Sequence, residues 1–268
     1  HSIIDDLIKL TNLINCDVFI PVRLDNKRLP GKALKKINDV PIIFHLIKRL
    51  QTSSMIRNIV VCTTTNKSDD VLVQFLEQEK IKFFRGDEKD ILMRFLGAAK
   101  KFDTDFIINV DGDDIYSDPK YIEKIILEYK KTNADYIDME KFPFGFRSVA
   151  FSKDALIKIC NLKTTNDTET GYRDFFKKNS SIFQHIITYS DENDFTKNLR
   201  FTLDYQEDLE LAEIIINKMG NDFHLDDLIT FLKNNPKLLK ITQGLEEKWW
   251  KHYNQNLAIF SFKQDDVN

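Results

Sequence analysis

Cysteine is scarce: Cys16, Cys62 and Cys160 are the only three in 268 residues. They form no Cys-x-x-Cys pair, and an odd number makes a poor disulfide framework. Cys62 lies inside an apolar run, where cysteine acts as a small hydrophobe rather than a nucleophile. This usage gives the expectation of a reducing, cytoplasmic compartment. The five histidines are scattered, with no His-Glu-x-x-His or similar spacing, which removes the common histidine metal motifs. No apolar run approaches the roughly 20 residues of a membrane helix, so no membrane partner is expected. A basic excess is also missing. The net charge of −3 argues against general nucleic-acid binding, so any anion site must be local. Glycine and proline number eight and six, and nowhere do they gather into a linker. One domain built on a mixed sheet is therefore expected over two domains. No period of about 20–50 residues recurs, which excludes a solenoid. The chain starts His1-Ser2, which suggests a cloning remnant or a domain cut from a longer polypeptide.

What is present centres on one stretch, Val18-Phe19-Ile20-Pro21-Val22-Arg23-Leu24-Asp25-Asn26-Lys27-Arg28-Leu29-Pro30-Gly31-Lys32. It begins as a short apolar run, the pattern of a buried parallel strand. It then breaks into a loop holding Arg23, Lys27, Arg28 and Lys32 within ten positions. Ligands of open α/β sheets bind beyond the carboxyl ends of the strands. Four cations there suit a polyphosphate. A solvated basic turn is the alternative, and the strand-to-loop position with a shaping Pro30-Gly31 favours the anion site.

Strands and helices alternate from there. Strands are predicted at 17–22, 58–63, 81–84 and 106–110, with helices at 41–52, 69–79, 91–102 and 119–131. That order means a parallel sheet covered on both faces, with right-handed crossovers. Beyond 133, strands are predicted at 134–138, 148–152, 185–189 and 199–204. Helices are predicted at 154–160, 207–218 and 225–233, with an aromatic-rich stretch at 172–183. Residues 3–14 carry a helical pattern ahead of the first strand. The organisation expected is an N-terminal extension over 1–16, one catalytic domain over 17–235 and a helical tail over 236–268. Trp249 and Trp250 in the tail are expected to pack it onto the body or a partner chain.

The second chemical feature is Asn109-Val110-Asp111-Gly112-Asp113-Asp114, three carboxylates at the end of a buried strand. Like charges this close repel unless a cation lies between them. Oxygen ligands of this kind suit Mg²⁺, which takes one or two carboxylates plus phosphate oxygens. An Asp-Gly turn capping the next helix is the alternative. Asp204 is the third feature. It ends the run Leu199–Leu203, and reads either as a helix N-cap or, with Asp113, as a metal ligand.

The run from Arg23 to Lys32, ending Arg-Leu-Pro-Gly-Lys, resembles the nucleotide-binding signature of the cytidylyltransferases that activate sugar acids, the CMP-Kdo and CMP-acylneuraminate synthetase group. Other stretches resemble its SpsF-like, spore-coat polysaccharide branch more closely. They are Phe84-Arg-Gly-Asp-Glu-Lys-Asp-Ile-Leu-Met-Arg-Phe95, Gly112-Asp-Asp-Ile-Tyr-Ser-Asp-Pro119, Phe142-Pro-Phe-Gly-Phe146 and Leu199-Arg-Phe-Thr-Leu-Asp-Tyr-Gln-Glu-Asp-Leu209. The resemblance covers about residues 17–220. It implies a nucleotide-diphosphosugar-transferase-like (Rossmann-like) three-layer α/β sandwich with a mixed, mostly parallel central sheet. It also implies attack of an acceptor oxygen on the α-phosphate of CTP, with pyrophosphate leaving. Arg23, Lys27, Arg28, Gly31 and Lys32 would bind the triphosphate, and Arg23, Lys32 and Asp113 would carry catalysis. Asp113 and Asp204 would hold Mg²⁺, and Asp111 would contact the nucleotide. Cytosine would lie near Thr63, Arg85, Gly86 and Asp87. A homodimer using parts of 140–200, including the aromatic stretch, is expected.

This chain departs from the family at several points. Asp25-Asn26 stands where the family's loop usually has Gly-Ser, and the turn is expected to survive because Asp and Asn tolerate left-handed conformations. Arg147 and Val149 stand where the branch tends to carry acids. Thr170 follows Glu169 where the branch has Glu-His. A different, small anionic acceptor is expected, contacted by Arg147 and Glu169. Two other readings stay open: a GT-A-type glycosyltransferase using a nucleotide sugar, and a non-catalytic domain of a larger polypeptide. The Arg-Leu-Pro-Gly-Lys loop argues against the first.

Overall fold

The computed structural model describes residues 14–190 and 199–255, so most of the helix expected over 3–14 lies outside the described residues. Strand β1 (Cys16–Pro21) shows why the sheet lies inside. Val18 and Ile20 enter one apolar cluster and Phe19 another. Successive strand side chains point to opposite faces, so a strand without a polar face needs cover on both sides. The same division recurs across the sheet. In β6 (Phe106–Asn109), Phe106 and Ile108 face the first cluster and Ile107 the second. In β4 (Asn58–Thr64), Val61 parts from Val60 and Cys62. In β7 (Tyr136–Glu140), Ile137 and Met139 part from Tyr136.

Two helix layers supply the cover. The first cluster takes the apolar faces of α1 (Ile42–Leu50), α2 (Asp70–Gln78), α4 (Pro119–Thr132), α7 (Gln206–Met219) and α8 (Leu225–Asn234). The second takes α3 (Ile91–Phe102), α5 (Lys153–Leu162) and α6 (Tyr172–Lys178). With β5 (Lys82–Gly86), β8 (Val149–Ser152) and β9 (His185–Tyr189), the seven-stranded sheet runs β5-β4-β1-β6-β8-β7-β9. Every neighbouring pair is parallel except those of β8, which is antiparallel to both β6 and β7. This is the mixed, mostly parallel three-layer sandwich expected from the sequence.

The order also fixes where a ligand belongs. From β1 the chain moves outward through β4 and β5, then returns on the other side of β1 as β6. The reversal puts a topological switch point at the carboxyl ends of β1 and β6.

Two local expectations are corrected, and one short element was not expected. Residues 199–204 are not a sheet strand; they run as extended chain with one isolated bridge, Phe144 to Arg200. Their strand-like alternation arises because Leu199, Phe201 and Leu203 dock into the first cluster. The aromatic segment assigned to a dimer interface turns inward, since Tyr172, Phe175, Phe176 and Phe183 all lie in the second cluster. A hairpin of β2 (Lys36–Ile37) and β3 (Val40–Pro41) was too short to read. It turns on Asn38 and Asp39, with φ of 51° and 62°, the paired positive φ that a tight two-residue hairpin turn needs. The tail helix α9 (Leu245–Gln255) buries Leu245 and lays Trp249 against Phe144, with ring centroids 4.7 Å apart. No helix among the described residues is long and apolar enough to cross a membrane.

Candidate active site

The basic loop is built by side chains that bond its own backbone. Asp69, buried after β4, accepts the Leu24 amide at 2.8 Å and the Thr64 hydroxyl at 2.5 Å. The loop's start is thus tied to the end of the neighbouring strand. Asn26 then accepts the amides of Arg28 and Leu29 at 2.9 and 3.2 Å, a side-chain turn of the kind asparagine makes. Gly31 closes the loop, donating to the Leu24 carbonyl at 3.2 Å with φ 65°, a conformation glycine adopts without steric cost. The left-handed turn expected at Asp25-Asn26 is absent, since neither residue has positive φ. The Asn26 side chain does that work through hydrogen bonds.

The acid loop follows β6. Gly112 lets it lie close to β1: a Cβ there would stand 2.7 Å from Val22 and 3.1 Å from the Pro21 carbonyl oxygen. Carboxylate oxygens of Asp111, Asp113 and Asp114 fall within 4.8 Å of one another. The 199–204 segment joins them, the Leu203 amide donating to the Asp113 carbonyl at 3.0 Å.

Basic and acidic loops meet directly. The Lys32 ammonium lies 2.5 Å from Asp113 Oδ2, 2.9 Å from the Leu203 carbonyl and 3.1 Å from Asp204 Oδ1. Arg28 Nη2 reaches Asp204 Oδ1 at 2.6 Å. The other Asp204 oxygen takes Arg200 Nη2 at 3.1 Å, and Arg200 Nε also holds Asp208 at 2.9 Å. Asp208 in turn accepts the amides of Asp204 and Tyr205 at 2.9 and 3.0 Å. Asp204 is therefore not the N-cap of α7; it is the acid around which three cations gather. Burial disfavours its charge, but Lys32, Arg28 and Arg200 hold its pKa below the ordinary carboxylate value. Asp113 goes the other way, raised by burial and by Asp204 and Asp111 against the pull of Lys32. Asp114, deeper still, is raised well above the ordinary value by burial and its two acidic neighbours.

These oxygens fit a metal ion. Asp113, Asp204 and a backbone carbonyl already surround one positive charge, the Lys32 ammonium. An all-oxygen donor set of this kind suits Mg²⁺.

Other expected residues are placed differently. Arg23 donates to the Glu88 carbonyl at 3.2 Å and lies 3.7 Å from Asp25 and 3.8 Å from Glu169. Lys27 is exposed. Arg85 is turned onto its own neighbourhood, donating to the carbonyls of Thr64 and Asn66 at 2.8 and 2.9 Å and pairing with Asp70 at 2.8 Å. Thr63 is buried, its hydroxyl without a partner. Gly86 packs against Phe84 and Arg94, and Asp87 accepts the amides of Lys89 and Asp90 at 2.9 and 2.8 Å. Asp111 is held by Arg173 at 2.8 Å, and Tyr172 and Arg173 both donate to Asn109. Arg147 and Glu169, both expected to contact the acceptor, bond to different partners. Arg147 donates to the Met139 carbonyl at 2.8 Å and pairs with buried Asp138 at 3.3 Å, which Lys177 also contacts. Glu169 instead pairs with Arg94 and Arg23.

Asp69, Arg94, Arg173, Lys177, Arg200 and Asp208 were not singled out from the sequence. Arg200, Asp204 and Asp208 stand four apart, the one local signal available; the remaining partners are remote in the chain.

Comparison with known proteins agrees with this geometry. A family model described as cytidylyltransferase matches residues 18–248. The spore coat polysaccharide biosynthesis protein SpsF of Bacillus subtilis is 25% identical over 224 residues, covering 81% of this chain and 93% of that protein. A solved cytidylyltransferase of Leptospira borgpetersenii superposes with a TM-score of 0.78 at 24% identity, covering 92% of this chain and 100% of that one. A CMP:2-keto-3-deoxy-manno-octonic acid synthetase solved in complex with CTP shares the fold, with a TM-score of 0.57 at 16% identity over 76% of this chain and 99% of that one. With that family model matching all but the ends of the chain, and its basic and acidic loops meeting at the switch point of the sheet, the protein belongs to the cytidylyltransferase family.

Proposed function

We propose that this protein transfers CMP from CTP to a small anionic acceptor, such as a sugar acid or sugar phosphate, and releases pyrophosphate, as a step in making surface-polysaccharide precursors. The observation that carries the reading is the meeting of Lys32 and Arg28 with Asp113 and Asp204 at the switch point. One end of the sheet thus holds both the cations a triphosphate needs and the carboxylates a metal needs. The CTP-bound synthetase of the same fold supports the choice of nucleotide.

Arg23, Lys27, Arg28 and Lys32, with the Gly31 turn, bind the β- and γ-phosphates and stabilise the charge that develops on leaving pyrophosphate. Asp113 and Asp204 hold Mg²⁺, with Asp111 beside them. The ion, when bound, neutralises phosphate charge and polarises the reacting phosphate. The protein's own part is positioning and electrostatics, which dominate phosphoryl-type transfer. Thr63, Arg85, Gly86 and Asp87 frame the base side, through backbone and shape more than through free side chains. Arg147 serves the acceptor. Together with Lys177 it puts two cations on the single carboxylate of Asp138, and that surplus of positive charge suits an acceptor carboxylate or phosphate.

The test is pyrophosphate release with Mg²⁺, offering CTP, UTP or ATP with a panel of sugar acids, sugar phosphates and phosphonates. Release that requires CTP and one anionic acceptor is expected. Activity with a nucleotide sugar as donor, or no release with any pairing, contradicts the reading.

A further inference from the structure

We propose that Glu169 is a positioning residue: it aims the Arg23 guanidinium at the nucleotide phosphates and is itself fixed from behind by buried Arg94. This rests on the phosphate-binding reading of the basic loop.

The arrangement starts from α3. Arg94 is fully buried, and its Nε donates to the Asp87 carbonyl at 2.9 Å and its Nη2 to the Glu88 carbonyl at 3.1 Å. A buried guanidinium needs a carboxylate partner to offset its desolvation. Glu169 supplies it, accepting from Arg94 Nη2 through Oε1. The second oxygen, Oε2, faces Arg23 Nε at 3.8 Å. Arg23 Nη1 donates at 3.2 Å to the Glu88 carbonyl that Arg94 also uses. Glu169 and the Glu88 carbonyl therefore form a bracket between a rigid arginine and a working one. The bracket, with the exposed Asp25 Oδ1 3.7 Å from the same Nε, takes Nε and Nη1 of Arg23 and leaves Nη2 for a phosphate oxygen.

The bracket's own support is strong. Glu169 belongs to the loop between α5 and α6. That loop is pinned to the start of α3 by Lys163, 2.5 Å from Asp90, and by the Thr168 hydroxyl, 2.8 Å from the same carboxylate. Three and four residues beyond Glu169, Tyr172 and Arg173 reach Asn109 and Asp111. One short segment thus connects the basic loop with the acid loop. Both Glu169 oxygens face guanidinium groups, and Arg147 is engaged elsewhere. A role through Arg23 accounts for Glu169 better than contact with the acceptor does.

A double-mutant cycle tests this. CTP affinity is measured by calorimetry with Mg²⁺ for wild type, Arg23→Ala, Glu169→Gln and the double variant, with acceptor KM measured in parallel. Glu169→Gln keeps an acceptor for Arg94 and removes the charge facing Arg23. It should weaken CTP binding by roughly tenfold and leave the acceptor KM within about twofold. With Arg23 already alanine, Glu169→Gln should cost less than about twofold more, the non-additivity of residues that act as a unit. Full additivity, or a raised acceptor KM with CTP affinity unchanged, overturns the positioning role while leaving the loop's phosphate role intact. If Arg23→Ala itself binds CTP as tightly as wild type, both readings fall. Should Glu169→Gln fail to fold, Glu169→Asp keeps the charge beside Arg94 but shortens its reach. The same cycle then applies, with a smaller loss expected that again vanishes without Arg23.

Discussion

An ammonium held 2.5 Å from Asp113 and 3.1 Å from Asp204 is favoured in its charged form. Burial works against the Lys32 charge, yet the two carboxylates keep its pKa above the ordinary lysine value. The two acids are not equivalent. Lys32, Arg28 and Arg200 lower the pKa of Asp204 against its burial, whereas burial and the acidic neighbours Asp204 and Asp111 raise that of Asp113 against the pull of Lys32. Asp113 therefore depends most on a cation at the site, and a metal ion is the stronger one available. Asp113→Asn keeps the shape and removes the charge. It should lower the rate of pyrophosphate release on the order of 10²-fold or more, and EDTA should abolish release by the wild type. A near wild-type rate in the variant, or indifference to EDTA, would remove the metal role from this residue.

At the scale of single elements, α3 shows how a helix start organises the loops around it. Asp90 caps the helix, accepting the Met93 amide at 3.1 Å, and also receives Thr168 and Lys163. The Asp90 and Lys163 side chains are 3% and 5% exposed, so breaking the pair strands a carboxylate away from water. Lys163→Met should cost about 3–5 kcal/mol of stability, read as a lower urea midpoint at unchanged slope. A loss within the scatter of surface substitutions would mean that Thr168 and the helix start suffice for Asp90. None of this pairing was legible in the sequence, because Asp90 and Lys163 stand 73 positions apart. What could be read was local. The apolar runs at 18–20 in β1 and 106–108 in β6 announced a sheet covered on both sides, and the cation and acid clusters after them announced the site. Alternation at 199–204 misled because apolar anchors on an extended loop have the same period as a strand. Arg28 and Asp204 were each legible as charged candidates, but their pairing across 176 positions was not.

Across the whole molecule, two apolar clusters sandwich the sheet, while α9 contributes no residue to either and buries only Leu245. Its contacts are aromatic and superficial: Trp249 on Phe144, Trp249 stacked on Tyr253 at 4.9 Å, and Lys248 over Tyr205 at 4.5 Å. Both tryptophans of the chain lie on this helix. Intrinsic tryptophan fluorescence thus reports α9, whereas far-ultraviolet circular dichroism reports the sandwich. Elements with few buried contacts open first, so the fluorescence transition in urea should precede the dichroism transition. Coincident transitions would show that α9 unfolds with the body as one cooperative unit.

If the loop after β1 reads the triphosphate, its cations must discriminate CTP from CMP. Calorimetric titration with CTP and with CMP, in the presence of Mg²⁺, tests it most directly when wild type is set against Arg28→Ala. Asp204 keeps Lys32 and Arg200 in that variant, so the acid side of the site stays paired. CTP affinity should fall by roughly tenfold or more, while CMP affinity changes by less than about twofold, since CMP lacks the phosphates the loop holds. Equal CTP affinity in the two proteins would contradict the account and reduce the basic loop to a solvated turn.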